Sequence, residues 1–475
     1  MNDSQHKPPP LLLDETTAPA KAGVGLKEKI GRYRWRICAL LFFATTLNYI
    51  DRQVLGLLKP VLEDPIKGIG LSEVEFGYIV TAFFLAYAIG LLVIGRLIDK
   101  VGTRIGYTIA VAVWGVAAAG HSLVSFPSVV RLLGTVLHNV GRLIGMPWLM
   151  VLPAAVVGFA IVRFFLGLGE SSNFPACIKT VAEWFPQKER ALATGIFNSG
   201  ANVGALIAPL AIPWIAVHWG WRWGFLATAA FSALWIVLWM NIYDRPERHP
   251  RLSRAELKYI ASGPPEPSTT VPWIRLLGKR QVWAFVLGKT LTDPVWLFYL
   301  FWLPGFLSRQ YGLPIGRIGL PLVVIYNVSV IGSVVGGWLP GKLIGQGWTV
   351  NKARKTAMLI YAILVVPVVF AGRLQSVWGV TLLLSLATAA HQAWSANMFT
   401  LASDMLPQRV IASVVGMGTF GAAVLLAFLS TLIGYLLKWT GGNYAPLFVI
   451  CGSAYLPALL IIHLLAPKLQ PAQIE

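Results

Sequence analysis

Charged residues are scarce in this chain of 475 residues, at 12% of the total. A soluble globular chain carries roughly 25% charged residues, so an ordinary soluble domain is excluded. Acids are the scarcer sign, with 20 Asp and Glu against 39 Lys and Arg, and the net charge is +19. The positive excess fits either a nucleic-acid surface or the loops of a membrane protein.

Cysteine is rare as well, and its three copies, Cys38, Cys177 and Cys451, lie in apolar segments. This excludes a disulfide framework and a cysteine-based metal site, and small buried thiols are the expected state.

No nucleophile paired with a base and no phosphate-binding loop stands out, so we expect neither an enzyme nor a cofactor. The first 36 residues lack the apolar core of a cleavable signal, and we expect a disordered cytoplasmic tail there.

Long apolar runs are abundant. Hydrophobic residues make up 56% of the chain, and the mean hydropathy is +0.66. About 20 apolar residues cross a bilayer as a helix, whereas a barrel would show short alternating segments. We predict an all-α membrane protein of twelve transmembrane helices in two bundles of six. The predicted spans are residues 37–58, 76–98, 105–124, 157–179, 191–216, 221–242, 281–307, 317–343, 356–373, 376–402, 410–437 and 443–466.

Lys and Arg are concentrated in alternate loops, which is how membrane orientation is encoded. This pattern places both termini in the cytoplasm, in the cell (inner) membrane, and argues against nucleic acid as a partner. The predicted units are a tail (1–36), a first bundle (37–242), a cytoplasmic linker (243–280), a second bundle (281–466) and a tail (467–475).

Residues 126–156 form an insertion between the third and fourth spans. Arg131, Thr135, His138 and Arg142 recur at helical spacing on one face. Apolar residues fall largely elsewhere around the helix, so we predict an amphipathic helix on the outer membrane surface. The alternative, a thirteenth span, would reverse the charge asymmetry of everything downstream.

A glycine-rich basic motif, GRLIDKVGTR, follows the second span. Its fixed positions are Gly95, Asp99, Lys100, Gly102 and Arg104. The pattern predicts a tight turn with a gating role, in which Asp99 pairs with a neighbouring helix end in one state and releases it in the other. In a twelve-span chain this motif resembles the major facilitator superfamily. In the second half Gly341 stands where that family has the acid.

Longer stretches narrow the resemblance. YIDRQVLG (49–56), RFFLGLGESSNFPACIKTVAEWFPQKERALATGIFNSGANVGALIAP (163–209), KTLTDPVWLFYLFWLPGF (289–306) and HQAWSANMFTLASDMLP (391–407) are similar to the anion:cation symporter branch, and most of all to hexuronate transporters. The resemblance implies the major facilitator fold and proton-coupled uptake of glucuronate or galacturonate by alternating access. The alternatives are another organic anion, such as galactonate, and a sugar-acid sensor that does not transport.

Four charged residues lie inside two spans of the first half, Asp51 and Arg52 in the first and Arg163 and Glu170 in the fourth. Such charges usually face a cavity or a partner. Arg163 and Glu170 are seven residues apart and share a helix face. The resemblance implies that the two acids carry protons and the two arginines hold the anion. The alternative is two static salt bridges between helices.

Further polar and aromatic residues suit contacts with sugar hydroxyls or rings. These substrate-binding candidates are Tyr87, Asn198, Asn202, Tyr299, His391, Gln392, Trp394 and Asn397. Lys289 and Asp293, spaced i,i+4, fit a structural helix pair at least as well as a functional one. The expected partners are a small carboxylate substrate, a proton (with Na⁺ as the alternative cation) and the lipid bilayer, and we expect a monomer.

Overall fold

The computed structural model describes residues 31–143, 153–262, 273–470 and residue 472, and the regular structure in these ranges is entirely helical. Most of the predicted amino-terminal tail lies outside the described residues. The helices of the first half are α1 (Tyr33–Leu62), α2 (Glu73–Val101), α3 (Thr103–Leu123), α4 (Pro127–Leu143), α5 (Ala154–Glu170), α6 (Asn173–Trp184), α7 (Gln187–Trp219) and α8 (Trp221–Ile242).

A connecting segment and the second half follow. Their helices are α9 (Arg254–Ile260), α10 (Trp273–Leu277), α11 (Arg280–Tyr311), α12 (Ile315–Gly345), α13 (Val350–Val365), α14 (Val377–Met405), α15 (Gln408–Trp439), α16 (Ala445–Ser453) and α17 (Tyr455–Leu465). Short 3₁₀ turns cover Pro246–Arg248 and Val366–Arg373.

Nine helical segments in the described ranges are long and apolar enough to cross a membrane. α1, α11 and α14 are also long enough, at 30, 32 and 29 residues, but polar side chains interrupt their apolar character. Together they make the predicted twelve-helix membrane fold. The three more polar helices are the first, the seventh and the tenth, and the first and the seventh occupy equivalent places in the two halves.

The fourth span is broken in its middle. α5 ends at Glu170, and α6 begins at Asn173 after two serines. Ser171 donates its hydroxyl to the Leu168 carbonyl and Ser172 to that of Gly169, each at 2.7 Å. These bonds satisfy carbonyls at the end of α5. The sequence predicted one unbroken span here, and the break places Glu170 at a helix end.

The two halves meet on the side of the α1–α2 loop (residues 63–72), called the far side below. There Thr81 of α2 donates to the Ala427 carbonyl of α15 at 2.7 Å. Gly56 of α1 allows a close approach to α11, because an added Cβ would lie 2.9 Å from the Leu300 carbonyl oxygen. α7 and α12 approach in the same way at Pro209 and Gly319.

A cluster of charged side chains also links the halves on the far side. Buried Lys59 contacts Glu63 at 2.6 Å and Glu73 at 2.9 Å. Arg309, from the end of α11, contacts the same Glu73 at 2.7 Å. Tyr444, which precedes α16, lies 3.5 Å from the Lys59 ammonium. We call these five residues the far-side latch.

On the opposite side, where α1 begins, the connecting segment docks onto the first half. Glu256 of α9 accepts hydrogen bonds from the Tyr33 and Arg34 amides at 3.1 and 3.2 Å and pairs with the Arg34 guanidinium at 3.0 Å. A carboxylate at a helix amino terminus satisfies amides that lack partners within the helix. Arg34 also pairs with Glu189 of α7 at 2.8 Å. This residue of α1 therefore links α9 to α7.

Candidate functional site

The four charged residues predicted to converge do lie together, where α1 meets α5. All four are buried, and their exposed fractions are 2% for Asp51, 6% for Arg52, 0% for Arg163 and 1% for Glu170. A glycine lets α5 approach α2 closely. Gly167 of α5 lies against α2, where an added Cβ would be 2.3 Å from the Phe83 carbonyl oxygen.

Arg52 is held by Glu170. The Arg52 Nε and Nη2 atoms lie 3.1 and 3.0 Å from a single carboxylate oxygen, Oε2. Arg52 Nη2 is also 3.4 Å from the Asn48 side-chain oxygen. The rings of Tyr49 and Tyr87 surround the guanidinium, at 5.2 and 5.0 Å from their centroids. Aromatic faces stabilise a guanidinium and leave its N–H groups available for anions.

Arg163 has far fewer partners. Its Nη2 lies 3.4 Å from the Arg52 backbone oxygen, a long hydrogen bond. Its Nε and Nη1 are buried and have no hydrogen-bond partner among the described residues. The Oε1 atom of Glu170 and the Nδ2 atom of Asn48 are in the same state. Unsatisfied buried donors are costly, so a guanidinium in this state is suited to an anion that supplies the missing acceptors.

Asp51 points away from its neighbour in sequence. Its Oδ2 accepts a hydrogen bond from the Trp114 indole of α3 at 2.7 Å. Consecutive helical residues project about 100° apart, so Asp51 faces α3 while Arg52 faces α5. The observed ion pair therefore joins the first span to the fourth, rather than joining charges within a span. The sequence analysis missed Trp114, and no sequence signal separates it from the other tryptophans.

The second-half candidates make internal contacts. His391 shares a 2.6 Å hydrogen bond with Tyr455 and stacks on Trp296 at 5.6 Å. Trp394 is fully buried and donates to Thr292 at 3.1 Å, so its ring face is not open for a sugar in this conformation.

Asn397 donates to the carbonyls of Gly336 at 2.6 Å and Ala393 at 2.9 Å, while its Oδ1 has no partner among the described residues. Lys289 pairs with Asp293 at 2.5 Å, as the i,i+4 spacing predicts.

The remaining candidates differ in exposure. Tyr299 is buried, and its hydroxyl has no partner in the described part of the chain. Gln392 is half-buried, and Asn198 and Asn202 are exposed. Asn202 is seven residues before Pro209 on α7, so it continues the face that meets α12 on the far side. Of these eight candidates, the structure brings only Tyr87 against the four charged residues.

The glycine-rich motif forms the predicted turn between α2 and α3. Gly102 has φ +91° and ends one helix while starting the next. Arg104 pairs with Asp244 at 3.0 Å and donates to the Met240 carbonyl at 2.7 Å. Lys100 is exposed, and an added Cβ on Gly95 would meet nothing within 4 Å. The side chain of Asp99 lies outside the described residues, so its predicted gating contact stays a prediction.

Comparison with known proteins decides the family. A family model described as the Major Facilitator Superfamily matches residues 41–431. The chain belongs to this superfamily. The predicted fold and family are thereby confirmed, and the protein is a multi-pass membrane transporter rather than an enzyme.

Among superfamily members, the chain is similar to sugar-acid transporters. It is 28% identical to the hexuronate transporter of Escherichia coli (strain K12) over 441 residues, which cover 91% of this chain and 94% of that protein. It is 28% identical to the galacturonate transporter of Dickeya chrysanthemi, over 71% of this chain and 90% of that one.

Solved structures support the fold alone, because their sequence identity to the chain is low. A D-xylose-proton symporter matches with a TM-score of 0.67 and 16% identity, over 90% of this chain and 97% of that one. A bacterial homolog of the human lysosomal transporter Spinster, inward-facing and unoccupied, matches with a TM-score of 0.65 and 16% identity, over 92% and 96%.

Proposed function

We propose that this superfamily member takes up a hexuronate, such as glucuronate or galacturonate, together with protons by alternating access. The single observation that carries the proposal is the Arg163 guanidinium, which is buried beside the Arg52–Glu170 ion pair with two nitrogens that have no partner among the described residues. Two relatives named for hexuronate and galacturonate transport support the substrate class. The positive loops favour cytoplasmic termini in the inner membrane, which makes the far side the outside.

The proposed mechanism starts from the ion pair. While Glu170 is charged, it occupies the Nε edge of Arg52 and competes with any other carboxylate. Burial favours the neutral form of a carboxyl group, and a neighbouring guanidinium favours the charged form. Protonation of Glu170 removes its pull on Arg52, so Arg52 and Arg163 can hold the substrate carboxylate together. Proton binding and anion binding then favour each other.

Asp51 is proposed as the second proton site. Its hydrogen bond from Trp114 stabilises the charged carboxylate, and its buried position disfavours that charge. A monoanion carried with one proton is electroneutral, whereas two protons would make transport electrogenic. Each net charge that moves through 100 mV then contributes about 2.3 kcal/mol.

The proposed transport cycle uses the interface between the halves. The contacts of the far side, including the latch, close that side in this structure. With the far side outside, this closure is what the proposed cycle requires of its cytoplasm-facing state. Asn198, Asn202 and Gln392 are proposed to contact the sugar hydroxyls, and Tyr299, His391, Trp394 and Asn397 are proposed to join them only after α11 and α14 move.

The proposal is tested by uptake of labelled glucuronate, galacturonate and galactonate into proteoliposomes with an imposed pH gradient. Arg163→Gln removes the charge and the donors, and we expect a rise in KM on the order of 10- to 100-fold. Arg163→Lys keeps the charge, so its KM should lie between that of Arg163→Gln and that of the parent. Arg317→Gln, at an exposed arginine that begins α12, is the control. Unchanged KM in both Arg163 variants would remove the carboxylate clamp.

The same uptake assay distinguishes the alternative functions. A preference for galactonate would favour an aldonate carrier, to which the D-galactonate transporter of Escherichia coli O6:H1 (strain CFT073), 25% identical, gives support. Uptake that follows a Na⁺ gradient and ignores pH would replace the proton by Na⁺. No uptake of any of these anions, with binding retained, would favour the sensor.

A further inference from the structure

The helix α4, between the third and fourth spans, has three distinct faces. One face packs against α5, where Leu133 closes on Gly158 and Gly134 lies against Ala154. The half-buried positions of α4, including Val130, follow this face. The remaining surface of α4 is exposed, and its residues are sorted by polarity into two stripes.

The first exposed stripe is apolar. Leu132, Val136, Val140 and Leu143 recur at spacings of four and three residues and therefore lie in one line along α4. Their exposed fractions are 65%, 47%, 40% and 85%. A helix of a folded protein in water would bury such a line, so these four residues require an apolar neighbour.

The second exposed stripe is polar and carries only positive charge. Arg131, Thr135, His138 and Arg142 are all exposed, and α4 contains no Asp or Glu. Arg131 and Thr135 make hydrogen bonds only within α4 in the described structure, to the Pro127 and Arg131 carbonyls. The guanidinium heads therefore remain available to an external anionic group.

The position of α4 identifies the neighbour. α3 ends at Leu123, four residues before α4 begins, and α4 packs on the first turns of α5. Both of those helices cross the membrane, so α4 lies at the bilayer surface. The two neighbouring spans also carry exposed apolar residues, among them Leu123 at the end of α3 and Ile161 of α5.

We propose that α4 is an interfacial anchor that binds a lipid leaflet rich in anionic headgroups. The apolar stripe inserts among the acyl chains, and Arg131 and Arg142 contact phospholipid phosphates at the headgroup level. The two stripes are adjacent around the helix, which is the arrangement that a helix lying in the bilayer surface needs. The anchor fixes the far-side ends of α3 and α5, and α5 carries Arg163 and Glu170.

Insertion is tested on the full-length protein in nanodiscs. The three native cysteines are buried, so a single introduced cysteine can be labelled with a fluorophore. Val136→Cys reports the apolar stripe, and the neighbouring Thr135→Cys is the matched control. Quenching by a phosphatidylcholine spin-labelled on its acyl chain should be several-fold stronger at position 136. Equal quenching at both positions, or protection at position 136 caused by a second copy of the chain, would overturn the proposal.

The headgroup preference is tested by thermal unfolding in nanodiscs of phosphatidylcholine with and without phosphatidylglycerol. Phosphatidylglycerol should raise Tm of the parent, and the double variant Arg131→Gln, Arg142→Gln should lose most of this shift. Arg317→Gln, an exposed arginine on α12, should keep it. The same shift in the parent and the double variant would show that α4 does not bind the anionic headgroups.

Discussion

Asp51 and Arg52 are adjacent in sequence but contact different helices. Asp51 accepts from Trp114 of α3, and Arg52 pairs with Glu170 of α5. A buried charge that loses its partner costs about 3–5 kcal/mol, so every charge at this site must be matched in each state of the cycle. Within the described part of the chain, Nε and Nη1 of Arg163 have no hydrogen-bond partner, so this guanidinium is not fully matched in the present state. A bound carboxylate offsets that cost.

The hydrogen bond from Trp114 to Asp51 gives a prediction at the residue scale. Trp114→Phe keeps the aromatic ring but leaves a buried carboxylate oxygen without its donor, at a cost of about 1–3 kcal/mol. We expect a lower Tm and a shift of the pH profile of uptake toward higher pH, because loss of the donor favours the protonated form of Asp51.

Trp184→Phe is the matched control for this prediction. Trp184 is also fully buried, but its indole nitrogen has no partner among the described residues. This variant should leave the pH profile unchanged. Identical profiles for Trp114→Phe and the parent would show that the indole does not influence Asp51.

At the scale of the helices, the turns that join neighbouring spans repeat within the first half. Gly102 between α2 and α3 has φ +91° and ψ 153°, and Gly220 between α7 and α8 has φ +90° and ψ 156°. Only glycine adopts this region without strain. Each glycine ends one helix and starts the next, so each turn depends on a single residue.

Gly102→Ala should therefore destabilise the protein by about 1–3 kcal/mol, since alanine is strained at this φ and ψ. Gly95→Ala, at the other glycine of the same motif, should be neutral or slightly stabilising. It has free space for a Cβ and lies inside a helix. The two variants are compared by their Tm in the same detergent. If Gly95→Ala lowered Tm as much as Gly102→Ala, the assignment of backbone strain to the turn would be contradicted.

The far-side latch gives a second prediction at the scale of helices. Glu73 is shared by Lys59 of α1 and Arg309 of α11. Glu73→Gln removes the charge that both cations share and should favour opening of the far side. A cysteine at Ser430, buried where Gly77 meets α15, should then react faster with a membrane-impermeant maleimide.

Glu75→Gln is the control, because Glu75 lies in the first turn of the same helix, is half-buried and takes part in a capping box that glutamine also supports. It should leave the reactivity of the Ser430→Cys reporter unchanged. If Glu73→Gln also left it unchanged, the latch would not hold the far side closed.

Much of the fold could be predicted from the sequence, because most spans are continuous apolar runs and the glycine-rich motif marks a known turn. The break after Glu170 was missed, since Ser171 and Ser172 look like ordinary helix residues in an apolar run. The convergence of four charges was predicted, but their pairing was not. Pairing depends on which helix each side chain faces once the bundle has packed.

At the scale of the whole molecule, the halves differ in their buried polar groups. Between α1 and α5 the first half has the Arg52–Glu170 ion pair and buried donors without a partner among the described residues. The second half uses His391, Trp394 and Asn397 to tie α14 to neighbouring helices. The first half therefore supplies the proposed chemistry of coupling, and α11 and α14 of the second half are the helices proposed to move during the cycle.

The most direct test of this account is pH-gradient-driven accumulation of hexuronate in proteoliposomes that contain the Asp51→Asn, Glu170→Gln double variant. Asp64→Asn in the far-side loop, combined with Glu75→Gln in the first turn of α2, gives the same chemical changes away from the site. The account predicts that the double variant loses accumulation, because no acid remains to carry the proton, while the control accumulates like the parent. Accumulation by the double variant at the level of the parent would contradict it.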